Sequence, residues 1–513
     1  MGEETVRSRG RIVMLVDNGV HGDSRVQKTA RSAADAGWDV TLIGIKGAGA
    51  ADSWQIGEAQ VRLVPVPMPL NPPPSHVRRS LRRPLAYPPG PVSAYRHQAS
   101  KARLANLAAK RARLAAEPPG VKRKARGGLL AASKVYVTGR RLWTSLRARE
   151  LRHLRDAQAD ADALVNRASI AFWRRAMGAR SWRRLDPGLW DYEIAIGGVL
   201  DALKPDIVHA NDFRMLGVGV RSAMRLRAKG HDTRIVWDAH ESVAGIAGRP
   251  QNPRWLPAQI EYVNEYAPYA DAVVTVSASL ADLLRDTHRL AETPKVVLNA
   301  PPASADSDGE AAPDIRALCG IGDDTPLLVY CGGVNPRRGL DTVVDALPRL
   351  AGVHVAFVTL HPSGRNAASE ELAARASAAG VGDRVHVLPY VPHWQVSAFL
   401  APADAGVIPI QHQPNHEIAL ITKFFEYSHA RLPIVVSDVR TMAEAVRRTG
   451  QGEVFTAEDV DGFVTAVNAV LADPKRYRAA YDAPGLLDGW TWEAQVDVLD
   501  GVYSDLRAKQ LAR

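Results

Sequence analysis

Lys423 and Glu426 stand three residues apart in Thr422-Lys423-Phe424-Phe425-Glu426-Tyr427, a segment that runs into Leu432-Pro433-Ile434-Val435-Val436-Ser437-Asp438. The order of residue types predicts a loop, a short helix and a buried strand. Residues three apart share one helix face, so both charges lie near the helix start. A helix N-terminus with a lysine beside it suits a phosphate. A carboxylate one turn deeper can accept two hydrogen bonds from a ribose diol. The same residues also fit an amphipathic helix–strand unit with a chance Lys and Glu.

A second constellation is Cys331-Gly332-Gly333-Val334-Asn335-Pro336-Arg337-Arg338-Gly339-Leu340. A strand ends, a glycine pair lets backbone approach a ligand, and two arginines precede a helix. A pyrophosphate needs backbone N–H groups and a cation at such a point. A solvated loop with incidental arginines would look similar. The third constellation, Trp237-Asp238-Ala239-His240-Glu241-Ser242, follows an apolar run and puts His240 and Glu241 at a strand's C-terminal end. Asp23-Ser24-Arg25-Val26 opens a helix after a loop, and Asp212 follows the run 206–210.

These groups need elements to hold them. Residues 11–16 (RIVMLV) form a continuous apolar run, as in a strand buried on both faces. Then come a loop, a helix from Ser24 to Gly37 and a strand from Asp39 to Ile43, which is a βαβ unit. The loop offers only Gly19 and Gly22, not GxGxxG, so a dinucleotide cofactor is not expected. Alternation of strands and helices resumes at Asp206 and again at Leu327. Residues 69–91 and 301–313 are proline-rich and predict linkers. Residues 93–185 predict a helical insertion broken by a loop from Pro118 to Gly128. The expected domains are therefore 1–300, 301–490 and a last helix, 491–513, able to cross back to the first domain.

In order and spacing, these segments resemble the retaining, family 4-type glycosyltransferases (glycosyl transferases group 1) of the GT-B fold. The resemblance covers about 11–68 and 190–510. It implies an α/β chain of two Rossmann-like domains facing a cleft, with the basic helical insertion in the first domain. It implies that Gly332, Gly333, Arg337, Arg338, Lys423 and Glu426 bind a nucleotide-sugar donor. Arg338 falls where the family places a cation on the pyrophosphate, and Glu426 where it places the ribose carboxylate. Many members carry Gly-Arg directly after the strand; here Gly333 takes the Arg position, leaving Arg337 or Lys423 to substitute. The residue eight before Glu426 is Ile418, with Glu417 one place off the family's Glu-x7-Glu register. His240, with Glu241, corresponds to the reacting centre, and Asp23 to the acceptor side of the first helix. Asn299-Ala300-Pro301 resembles the exit from the first domain. The mechanism usually favoured for the family needs no enzyme nucleophile, no metal and no cofactor beyond the donor. Asp160-x-Asp162 and Asp306-x-Asp308 follow no strand and are read as chance.

Composition bounds the rest. At 513 residues the chain exceeds one ordinary core. The two cysteines, Cys319 and Cys331, form no CxxC, which argues against a disulfide scaffold or zinc ribbon. No uncharged apolar stretch approaches bilayer length, and the first residues look like the lead-in to a strand. A cytoplasmic protein, peripheral at the inner face of a membrane, is expected. Residues 77–186 hold 27 Lys+Arg and 6 Asp+Glu; the remainder holds 38 and 49. One segment thus makes an otherwise acidic chain basic and calls for an anionic partner, through 93–185 an anionic membrane surface. No nucleic-acid module is present. The leading expectation is transfer of a sugar to a cell-envelope glycan or lipid-linked acceptor. A sugar-nucleotide epimerase or hydrolase, or a non-catalytic partner subunit of the same fold, are the competing readings.

Overall fold

The computed structural model describes residues 8–47, 49–67, 83–87, 92–115, 118–159, 164–249, 252–303, 311–360, 364 and 366–512. Most of the two expected linkers, and both aspartate pairs at 160–162 and 306–308, lie outside the described residues. The described chain divides into two compact units. One takes in Met1–Pro67, Tyr192–Ile246 and Tyr262–Arg513; the other takes in Met68–Asp191 and Ala247–Glu261.

The first unit contains two sheets. In the first, β1 (Arg11–Leu15), β2 (Asp39–Lys46), β3 (Asp52–Ile56), β4 (Ala59–Pro65), β5 (Ile207–Asn211), β6 (Arg234–Ala239), β7 (Ala272–Thr275) and β8 (Lys295–Val296) lie in the order β3-β4-β2-β1-β5-β6-β7-β8. Only the β3–β4 hairpin is antiparallel. In the second, β9 (Leu327–Cys331), β10 (His354–Val358), β11 (Val385–Leu388), β12 (Ala405–Ile408), β13 (Ile434–Ser437) and β14 (Gly452–Phe455) lie in the order β11-β10-β9-β12-β13-β14, all parallel. The central strands are apolar along their length because helices cover both faces. In β9, Val329 faces one core while Leu328 and Tyr330 face the other. Each sheet reverses its winding beside its first strand, between β1 and β5 and between β9 and β12. Ligands of such sheets bind outside the carboxyl ends of the strands at these reversals.

The last helix, Trp492–Leu511, packs its Trp492, Leu499, Tyr503 and Leu506 into the first sheet's core beside Val26 and Ala30 of the helix Ser24–Asp35. Lys28 of that helix lies 4.5 Å above the Trp492 ring. The chain's end thus closes the core that its start opens.

The second unit is helical. The helix Val92–Ala115 packs along Val121–Ala159, whose Val137, Thr144, Leu151 and Leu154 are buried. The break expected from Pro118 to Gly128 is shorter than that, since the second helix already starts at Val121. Gly127 and Gly128 cost helix propensity, about 1 kcal/mol each. Neither is required by close packing, since a Cβ on Gly127 would meet only Leu114, at an ordinary 3.9 Å, and one on Gly128 nothing within 4 Å.

One close approach fixes the second sheet's working helix. Gly406 of β12 lies under Tyr427 of the helix Thr422–His429, and a Cβ there would stand 2.4 Å from the ring. The Cys331 N–H donates to the Tyr427 hydroxyl at 2.9 Å, so the ring spans β12 and β9. We expect Gly406→Ala to destabilise the protein by about 1–3 kcal/mol through overpacking, read as a lower urea midpoint. An unchanged midpoint would mean that the helix is not held at this distance.

Candidate active site

The C-terminal ends of both sheets face one cavity of about 420 Å³. Of the residues singled out in the sequence, Asp23, His240, Gly332, Gly333, Arg338, Lys423 and Glu426 line it. Arg337 and Glu241 do not.

On the second-sheet wall, Gly332 adopts φ 137°, and a Cβ there would lie 3.1 Å from the Lys423 ammonium. Glycine therefore lets that ammonium reach the loop after β9. The Asn335 side chain accepts from the Arg337 N–H at 3.1 Å and starts the turn Pro336–Arg338, which leaves Arg338 on the cavity. Arg337 is exposed, and its carbonyl accepts from the Gln411 N–H. The expectation that both arginines face one ligand is corrected: adjacent residues in a tight turn point apart. Lys423 takes the inner place, 4.8 Å above the Tyr330 ring. Among the described residues neither Arg338 nor Lys423 has an ion-pair partner. Burial, and then the nearby Arg338 charge, bring the Lys423 pKa down to about 8. Burial pushes the Glu426 carboxyl up, against the pull of Lys423 and Lys28. The helix Thr422–His429 has no side-chain cap at Ile421; the Phe424 N–H donates to the Ile421 carbonyl at 3.0 Å, and the Thr422 and Lys423 N–H groups are the ones placed to meet an anion.

Glu417 is spent elsewhere. It accepts from His412 at 2.5 Å and from the Arg440 N–H at 2.9 Å, and it does not line the cavity. The turn Ala419–Leu420–Ile421 lines that stretch of wall instead.

The first-sheet wall rests on a buried ion pair that sequence reasoning did not find. Arg25 donates to both carboxylate oxygens of Asp238, at 2.9 Å each, and to the Val297 carbonyl at 2.8 Å. The signal was present: Asp238 is a charge that follows the apolar run Ile235–Trp237 inside the buried strand Arg234–Ala239, and a buried charge needs a partner. Burial disfavours ionised Asp238, yet Arg25 and His240 hold it well below the usual carboxylate range. His240 Nε2 stands 3.3 Å from Asp238 Oδ2, an ion-pair distance off the line of a hydrogen bond. Burial opposes its charge, but Asp238 pushes its pKa up to about 9. His209 is 3.5 Å from the same oxygen and shares a 2.7 Å hydrogen bond with Tyr503 of the last helix.

Asp23 lines the cavity with both oxygens engaged. It accepts from the Val26 N–H at 3.3 Å and from Asn18 at 2.8 Å, so it caps the helix whose first turn forms this wall. Glu241 sits off the cavity, where Asn415 donates to it at 3.3 Å. Burial, and then Asp212, bring its pKa up to about 7. Asn415 also accepts from the Ser242 N–H, which ties the two sheets' loops together. Asp212, at φ 62°, is pushed up by burial, and Arg214 beside it pairs with Asp17. Lys28 was also missed; it donates to the Ala300 carbonyl at 2.5 Å, and burial, then Arg25, bring its pKa down to about 7.

The His240–Asp238 geometry has a pH signature. A histidine whose folded pKa is raised stabilises the fold fully below its unfolded pKa, about 6.5. That contribution fades as pH rises toward 9. Lys28 and Lys423, with lowered pKa values, run the opposite way, so the wild-type profile alone mixes them. We expect the destabilisation caused by His240→Gln to be largest near pH 6 and to shrink toward pH 9.5, measured as the difference in unfolding temperature. A pH-independent difference would show that Asp238 does not feel the imidazolium.

Residues 152–300 match the family model described as Glycosyltransferase Family 4, and residues 325–473 that described as Glycosyl transferases group 1. Glycogen synthase of Mycobacterium tuberculosis is 27% identical over 311 residues, 58% of this chain and 69% of that protein. The GDP-mannose-dependent alpha-(1-6)-phosphatidylinositol monomannoside mannosyltransferase of Mycolicibacterium smegmatis is 28% identical over 303 residues, 54% of this chain and 78% of that protein. Sucrose-phosphate synthase from Thermosynechococcus elongatus shares the fold, with a TM-score of 0.60 at 15% identity over 98% of this chain and 100% of its own. Two family matches that together take in more than half of the chain, set on this two-sheet fold, make it a member of the group 1, family 4-type glycosyltransferases of the GT-B fold, which act on nucleotide-sugar donors.

Proposed function

We propose that this chain moves a hexosyl unit, with retention, from a nucleoside-diphosphate sugar to a hydroxyl of a cell-envelope glycan or lipid-linked acceptor. It would work in the cytoplasm, at the inner face of an anionic membrane. The observation that carries the donor reading is the pair Arg338 and Lys423, two cations that face one cavity with no carboxylate paired to either among the described residues. Lys423 is buried and Arg338 half-buried; a buried cation without a counterion is costly, and a diphosphate supplies the missing charge. Glu426 beside them has no hydrogen-bond donor among the described residues, which suits the ribose diol. Tyr390, Val391 and Val396 line the same cavity and offer an apolar seat for a base. The named phosphatidylinositol mannoside acceptor of the mycolicibacterial relative supports a lipid-linked acceptor.

In this reading the acceptor oxygen forms its bond to the anomeric carbon on the face from which the phosphate oxygen leaves. The acceptor's proton passes to that leaving oxygen. Arg338, Lys423 and the first N–H groups of Thr422–His429 stabilise the charge that develops on the diphosphate. His240, charged at neutral pH beside Asp238, acts as a hydrogen-bond donor to the sugar and not as a base. Glu241 and Asp23 act behind it, by position. No cofactor or metal enters this scheme.

Arg338→Ala and Glu426→Ala are each expected to weaken binding of UDP or GDP, whichever binds, by about 2 kcal/mol or more, roughly 30-fold. Calorimetry finding unchanged affinity in both variants would remove the donor assignment. His240→Ala is expected to bind nucleotide nearly normally and to lose most transfer. Wild-type turnover in that variant would place the reacting centre elsewhere.

A further inference from the structure

The helix Val121–Ala159 carries a surface that the transfer chemistry does not use. Its buried residues Val137, Thr144 and Leu151 recur every seventh position on one face. On the opposite side Val135, Leu142 and Leu146 are exposed, with Val135 at 73% and Leu142 at 68%. Beside them Leu129, Tyr136 and Trp143, again seven apart, are exposed as well. At 100° per residue these six side chains share an arc of roughly 140°. Arg140 and Arg147 border the arc on one side, and Lys134, Arg141 and Arg149 lie toward the other. From 121 to 154 the helix has ten Lys+Arg and a single acid, Glu150, which is paired with Arg83 at 2.7 Å.

A continuous apolar face of this size on a monomer's surface marks an interaction site. Its charge selects the occupant. A second copy would bring two strongly cationic helices together, at an electrostatic cost. An anionic bilayer neutralises the borders while its acyl region takes the arc. Tyr136 and Trp143 belong to the residue types that settle at the headgroup level, and long Arg and Lys stems let the charges reach the phosphates. At the turn between the two long helices, Arg111 and Lys124 with Leu114 line a mainly apolar groove of about 420 Å³, which adds two cations at the end of the stripe. No helix among the described residues is long and apolar enough to cross a membrane, which leaves the interfacial mode.

We propose that the helix Val121–Ala159 lies in the plane of an anionic phospholipid surface, with Leu129, Val135, Tyr136, Leu142, Trp143 and Leu146 inserted among the lipids. This rests on the envelope-acceptor reading only in taking the surface to be a lipid bilayer. Attachment then has two parts. The cationic part is screened by salt over about 8–10 Å, and the apolar part is not.

The experiment is co-sedimentation of the full chain with vesicles of phosphatidylcholine alone or mixed with phosphatidylglycerol, at low and high salt. The wild-type chain is expected to bind the mixed vesicles and to keep a residue of binding at high salt. Leu142→Ser/Trp143→Ser/Leu146→Ser should bind at least about tenfold more weakly at low salt and lose the high-salt residue. Arg140→Ser/Arg141→Ser should lose part of the preference for phosphatidylglycerol and keep that residue. Equal partition of the triple variant and the wild type, or no binding by the wild type, overturns the proposal. So does a wild-type dimer, in sedimentation velocity, that the triple variant abolishes. Helix content and the thermal shift given by UDP or GDP should be the same in all three proteins. Vesicle binding without any nucleotide effect would sink the transfer reading and leave the docking surface standing.

Discussion

The Arg25–Asp238 ion pair holds the first-sheet half of the cleft in place. It joins the first turn of one helix to the end of a central strand, and through the Val297 carbonyl it reaches the segment that follows β8. Both side chains are almost wholly buried, with 4% and 1% exposure. Taking two charges out of water is expensive, and a well-packed apolar pair would often be as stable. The pair does something an apolar contact cannot. Its carboxylate also lies 3.5 Å from His209 and 3.3 Å from His240, so one buried charge sits beside two imidazoles and raises the pKa of the cavity-lining one.

The second-sheet half is built on the opposite electrostatic plan. Its cations are held by backbone geometry and aromatic packing, not by counterions. Gly332 clears space for Lys423, Tyr330 lies beneath the ammonium, and Tyr427 clamps the helix that carries Lys423 and Glu426. An unneutralised wall of this kind is ready for an anion that arrives from solution. The two walls therefore divide the labour. One is internally paired, and the other carries Arg338 and Lys423 without a paired carboxylate among the described residues.

Lys28 sits between them. It is tied to the Ala300 carbonyl at the exit from the first sheet and lies over Trp492 of the returning helix. Its charge is felt by Glu426 on the far wall. The chain's first helix, its crossover and its last helix thus share one cation. The basic helices of the second unit stand apart from this economy of charge. Their excess of arginine borders an exposed apolar stripe that runs from Leu129 to Leu146 along the helix Val121–Ala159.

Much of this was legible in the linear sequence. Apolar runs bounded by glycine and polar loops gave the two parallel sheets, because strands buried on both faces leave little freedom of composition. The Lys423–Glu426 spacing and the Gly332–Arg338 loop were legible for a similar reason, since a helix start and a strand end dictate which residues come to line one cavity. What tertiary structure alone decided was which side chains meet across long stretches of chain. Arg25 finds Asp238, Asn415 finds Glu241 and Tyr503 finds His209 at separations of 213, 174 and 294 residues, beyond any local periodicity. It also decided direction. Arg337 and Arg338 are equal in sequence, yet a turn of three residues sends one to solvent and one to the cavity. Asp23 looks like a free carboxylate until the helix N–H it caps is seen. Local sequence sets the hydrogen-bonding and burial that each element demands; only the packed fold determines which charges those demands leave free.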